Sequence, residues 1–204
     1  MTDMWRAGSR PGSSEDEIVF LGLGGLGEIG LNVYLYGMGL KDNRRWLMVD
    51  LGLTFAEEHE PGVEIVLPDL RFIEEERGAL EGIVLTHAHE DHFGAVIDLW
   101  DRLRAPIYAT PFTAAMLRSK LAEESSGIEP PITVVPMGAR FKVGPFDLEF
   151  VTMAHSIPEP SGLVIRTPHG IIFHTGDWKL DRTPLVGEPT DEEKIRSLGR
   201  EGVR

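Results

Sequence analysis

Residues 86–94 read Thr86-His87-Ala88-His89-Glu90-Asp91-His92-Phe93-Gly94. Four side chains that can ligate a metal, His87, His89, Asp91 and His92, fall within six residues. Three of the chain's seven histidines sit in this window, which a surface loop with incidental histidines would not concentrate. Upstream, Gly82 to Thr86 is a short apolar run and predicts a strand. Downstream, Val96, Ile97, Trp100 and Leu103 recur at helical spacing and predict a helix over 94–103. In an extended segment side chains alternate, so His87 and His89 point the same way and can chelate one metal. Asp91 and His92 fall at the turn into the helix and can face a second. Imidazole and carboxylate are the donors expected for zinc, manganese or iron where no thiolate is available.

Outward from this window, two further candidates lie at predicted strand ends. His155, followed by Ser156, comes after the strand that starts at Phe146. Asp177 lies in His174-Thr175-Gly176-Asp177, where a carboxylate could bridge two metals. Asp50 ends the predicted strand Arg45 to Asp50 and could accept a hydrogen bond from the free ring nitrogen of a ligand histidine, fixing its tautomer. The candidate metal ligands are therefore His87, His89, Asp91, His92, His155 and Asp177, with Asp91, His92 and Asp177 as the catalytic set and Asp50 behind them. His59 and His169 are expected in solvent, and His174 in a structural role at a strand end.

The glycines of Gly22-Leu23-Gly24-Gly25-Leu26-Gly27 match a dinucleotide-binding spacing, but the context opposes it. Such a loop must open a helix whose N-terminus holds the pyrophosphate, and here Glu28-Ile29-Gly30-Leu31-Asn32 leads into another strand. A tight loop passing close to the site's floor is the better reading.

The other predicted strands are 18–23, 32–36, 106–109, 132–135, 140–143, 146–152, 162–167 and 171–174, with helices over 68–76, 111–123 and 191–198. Leu51 to Leu67 reads as loop, and residues 1–17 as a disordered tail with no apolar signal segment. Strands alternate with helices first and then form a meander, which suits sheets covered by helices. The 204 residues can bury a sizeable core. No apolar run approaches the ~18 residues of a membrane span. The absence of cysteine excludes a disulfide framework and is consistent with a cytoplasmic location. A net charge of −13 disfavours unaided binding to nucleic acid, unless a basic surface is supplied elsewhere or metal ions offset the carboxylates locally.

The order His87-x-His89-x-Asp91-His92, then His155, then Asp177, with Asp50 upstream, resembles the motif order of the metallo-β-lactamase superfamily. The segments Leu23-Gly24-Gly25-Leu26-Gly27-Glu28-Ile29-Gly30, His155-Ser156-Ile157-Pro158-Glu159 and His174-Thr175-Gly176-Asp177-Trp178-Lys179 narrow the resemblance to the ribonuclease J group of its β-CASP branch. The resemblance covers about Glu17 to the end. It implies an α/β fold, a four-layer αββα sandwich, here incomplete at the C-terminal end because the sequence stops where a β-CASP domain would begin. It implies a metal-dependent ribonuclease, 5′-3′ exonuclease and endonuclease on RNA, using a hydroxide held between two divalent ions, zinc foremost or manganese. His87, His89 and His155 would hold one metal, Asp91 and His92 the other, and Asp177 would bridge, with one further histidine and an additional sheet edge missing from this sequence. RNA is the implied partner, with a homo-oligomer for the full-length enzyme. The metal motif by itself also permits a hydrolase of a small ester, lactone or thioester, and a truncated chain could be an inactive module.

Overall fold

The computed structural model describes residues 16–56, 61–124 and 127–203. Three of its strands, β1 (Glu17–Gly24), β2 (Val33–Gly39) and β3 (Arg45–Val49), pair antiparallel in order. From β3 the sheet continues in parallel through β6 (Leu80–Leu85), β7 (Ile107–Ala109) and β8 (Ile132–Val134). A second, all-antiparallel sheet has the order β12 (Gly170–His174), β11 (Ser161–Thr167), β10 (Phe146–Thr152), β9 (Arg140–Val143).

Strand alternation sorts side chains into three cores. Leu35, Met48, Ile83, Leu85 and Ile107 face one way, against Ile73 of α1 (Arg71–Glu75), Leu99 and Leu103 of α3 (Val96–Leu103), and Leu117 of α4 (Pro111–Glu123). The intervening Tyr36, Leu47, Val49 and Val84 face the opposite way and meet Phe146, Leu148, Phe150, Leu163 and Ile165 of the second sheet. On that sheet's outer face, Val151 and Val164 pack under Leu198 of α5 (Glu192–Glu201). Helices, sheet, sheet, helix: the four αββα layers expected from the sequence are present. The helix-covered first sheet also explains why β6 is buried on both faces and reads as a nearly continuous apolar run.

Two expectations change. Leu51 to Leu67 is not all loop, because Thr54–Phe55 (β4) and Ile65–Val66 (β5) pair as a short antiparallel ribbon. Two-residue strands carry too little periodicity to be read. Glu17, placed in the tail by its polarity, is the first residue of β1 and pairs its carboxylate with Arg44. The rest of the tail reading, residues 1–15, and His59 lie outside the described residues.

The fold gathers the candidate residues because parallel strands end together. Asp50 follows β3, Thr86 follows β6, and Thr110 follows β7, all at the same edge of the first sheet. In the second sheet Thr152 pairs with Ser161 and Leu163 with His174, so the β10–β11 loop and the end of β12 also share one edge. Ser161 joins the two edges: its Oγ donates to Thr86 O at 2.7 Å and its N–H to the same oxygen at 3.1 Å.

Candidate metal centre

His87 and His89 follow β6, His89 with extended backbone, and α2 (Glu90–Phe93) carries Asp91 and His92. This turn is seated by backbone bonds to the segment after β3: Leu51 N–H donates to His92 O (2.8 Å) and Leu53 N–H to Glu90 O (3.2 Å). Contact is so close at Gly52 that a Cβ there would stand 1.7 Å from Asp91 O, so only glycine fits.

Asp50 is fully buried, with left-handed backbone (φ 63). Its carboxylate accepts from Thr86 N–H (2.7 Å) and Thr86 Oγ1–H (2.8 Å), and faces His92 Nδ1 at 2.7 Å. Since the Thr86 hydroxyl proton goes to Asp50, its oxygen accepts from His87 Nδ1–H at 3.0 Å. Both His87 and His92 thus keep a proton on Nδ1 and present Nε2 to the site.

Two sets of donor atoms result, each within 4.8 Å: His87, His89 and His155, and His87, His92 and Asp177. His87 belongs to both, and its Nε2 lies 3.1 Å from His89 Nδ1. Asp177 spans the sets, with Oδ1 3.5 Å from His92 Nε2 and Oδ2 3.6 Å from His155 Nε2. The sequence reading gave His87 to one metal only; its placement between the rings of His92 and His155, 4.0 and 5.2 Å away by centroid, makes it common to both sets. Asp91 is in neither set. Its Oδ2 lies 3.7 Å from His92 Nε2 and accepts from Asn32 Nδ2 at 3.2 Å.

Electrostatics follow from this crowding. Burial alone would lower the His92 pKa, but the charge of Asp50 and the bonds to Asp177 and Asp50 outweigh it and push it up to about 10. Burial, then the charge of His92, holds His87 down at about 3. Asp177 is lowered to about 2, first by its bond to His92. Burial would raise the Asp50 carboxyl; the charge and hydrogen bond of His92 overcome that and hold it low. An unprotonated His87 beside two low-pKa carboxylates is a concentration of lone pairs and negative charge, the donor chemistry that suits a divalent cation of the zinc or manganese kind.

His174 is not a donor in either set; its Nδ1 faces Tyr36 Oη at 3.0 Å and its ring packs on Tyr34 at 5.0 Å. His169 pairs with Asp16 at the surface. Sequence reading missed Asn32, whose Nδ2 also donates to Asp91 O (3.0 Å) and lies 3.0 Å from His92 Nε2. A polar residue heading an apolar strand was the available signal. Thr86 was missed too, though it adjoins the cluster. The glycine loop does run beside the site: Tyr34 Oη donates to Gly25 O (3.2 Å) and to Asn32 Oδ1 (2.8 Å).

Residues 26–196 match the family model of the metallo-beta-lactamase superfamily. The chain is 54% identical over 191 residues to Ribonuclease J of Sinorhizobium meliloti, covering 94% of this chain and 34% of that protein. It is 38% identical over 188 residues to Ribonuclease J 1 of Streptococcus pyogenes, covering 92% and 33%. The chain therefore spans about a third of the length of the curated relatives it matches. Among solved structures, a protein of unknown function from Enterococcus faecalis superposes with a TM-score of 0.55 at 21% identity, over 81% of this chain and 44% of that one, a likeness of fold. Among the described residues no helix is long and apolar enough to cross a membrane.

Proposed function

The chain belongs to the metallo-β-lactamase superfamily, and on that premise we propose that it carries the metal centre of a ribonuclease, hydrolysing phosphodiesters of RNA in the cytoplasm from the 5′ end and internally. The observation that carries this reading is the pair of donor sets joined through His87 and spanned by Asp177, in a sequence 54% identical to a protein named Ribonuclease J. His87, His89 and His155 would hold one divalent ion. His92 and Asp177 would hold the other, and Asp91 would join by a small shift from its 3.7 Å contact with His92. Two such ions would lower the pKa of a water toward ~7 and offset charge on the phosphate oxygens.

The chain's own residues do the rest. Asp50 and Thr86 hold the Nδ1 protons of His92 and His87, so that His87 offers a lone pair at Nε2 without reorganising and His92 offers one once its Nε2 proton is displaced. Asn32 fixes the Asp91 carboxylate. Asp177 is half exposed and so can be reached by substrate. The negative charge of the chain makes the cations the local attraction for a polyanion.

The test is hydrolysis of a 5′-monophosphorylated RNA by the purified chain supplied with zinc or manganese. Weak cleavage that chelator abolishes and His92→Ala removes is expected. Turnover of a thioester or lactone without RNA cleavage would overturn the assignment of substrate.

A further inference from the structure

His155 is the one donor of its set that comes from the second sheet; His87 and His89 come from the first. Something must fix the distance between them. The β10–β11 loop that carries His155 reaches across the sandwich edge to α4. There Glu159 Oε2 accepts the backbone N–H of Phe112 at 2.7 Å. Phe112 stands in the first turn of α4, where N–H groups have no partner within the helix. Thr110 caps the turn by accepting from Thr113 N–H, and Pro111 has no N–H to give. The Phe112 amide is left, and a carboxylate is the favoured partner at this positive end of the helix. Ile157, two residues earlier, packs against the helix-side core that contains Ala114 and Leu117 of α4. Glu159 takes this position with a left-handed backbone (φ 52), a conformation that costs a non-glycine residue energy and persists only where the surroundings hold it. The same helix grips the other ligand loop: Lys120 is ion-paired with Glu90, between His89 and Asp91.

From this geometry we infer that Glu159 is a positioning residue for the metal centre: by anchoring the His155 loop to the start of α4 it sets His155 against His87 and His89, and α4 braces both ligand loops. The inference rests on the reading of His87, His89 and His155 as a metal set. Glu159 touches neither metal nor substrate, and acts through His155.

Cobalt titration of the 204-residue chain, followed by the visible ligand-field spectrum, tests this. Glu159→Gly removes the carboxylate but suits the left-handed backbone, so the turn and the fold survive, as circular dichroism will register. Cobalt affinity should fall about tenfold or more, the scale for a lost supporting bond behind a ligand, with a changed spectrum. Glu159→Gln keeps an acceptor for Phe112 N–H and should restore affinity to within about threefold, since a neutral acceptor is weaker than a charged one. A Glu159→Gly protein that melts at a lower temperature without metal, yet binds cobalt with wild-type affinity and spectrum, would overturn the positioning role. Failure of the wild-type chain to bind cobalt would instead overturn the metal-centre reading itself.

Discussion

At the residue scale the centre depends on side chains that do not face the solvent side of the site. Thr86→Val keeps shape but removes the hydroxyl that takes the His87 Nδ1 proton; zinc affinity should fall about 10–100-fold in a competition titration, with the fold retained. Gly52→Ala forces a Cβ against Asp91 O and should cost about 1–3 kcal/mol in chemical unfolding while displacing the α2 turn and its ligands. His92 gives a pH prediction. With its pKa up at about 10 in the metal-free chain, His92 is protonated at pH 8, whereas His87, held near 3, is not. Metal must displace the His92 proton, so affinity rises with pH up to about 10. Calorimetry in buffers of different ionisation enthalpy should show His92 releasing about one proton per chain at pH 8, and less in His92→Ala. The candidate cluster His87, His89, Asp91 and His92 was legible because it crowds one strand end, although Asp91 falls in neither donor set. Asn32 and Glu159 were not, because a lone polar residue far away in sequence acquires its meaning only when the chain folds back by 59 residues to Asp91 or by 47 to Phe112.

At the scale of elements, the strands and longer helices carried their own signals. The α4 boundaries, Pro111 to Glu123, are as the sequence indicated, because a threonine cap and a first-turn proline mark its start. What escaped reading was short: β4 and β5, and the single turn of α2, whose start is set by backbone bonds to Leu51 and Leu53 and not by its own sequence. The packing between the sheets is where the elements gain most. Phe150 of β10, almost fully buried in the inter-sheet core, should cost about 3–5 kcal/mol on truncation to alanine, lowering the melting temperature by roughly 10 °C for a chain of this size. Ser161→Ala is the more informative change. It removes the side-chain half of the bridge to Thr86 O, about 1 kcal/mol of stability. Because that bridge aligns the two sheet edges, metal affinity should fall with it. A Ser161→Ala chain with unchanged zinc binding would show that the remaining backbone bond to Thr86 O and the packing hold the sheets in register without the hydroxyl.

For the whole molecule, the αββα sandwich serves to bring two sheet edges together, each supplying part of one donor cluster. Neither sheet alone contains a complete set: His87, His89, Asp91 and His92 come from the first, His155 and Asp177 from the second. Element order indicated sheets covered by helices and the family resemblance supplied the four layers, but the meeting of the edges was not readable, since it depends on the inter-sheet core of residues such as Val84, Phe146 and Leu163. The measurement that bears most directly on this account is the number of zinc ions bound per purified chain, determined by elemental analysis for the wild type and for His87→Ala. About two ions in the wild type, and fewer in His87→Ala, are expected from a histidine whose free nitrogen lies within both donor sets. A wild-type chain that takes up no zinc, or a His87→Ala chain that keeps its full complement, would contradict it.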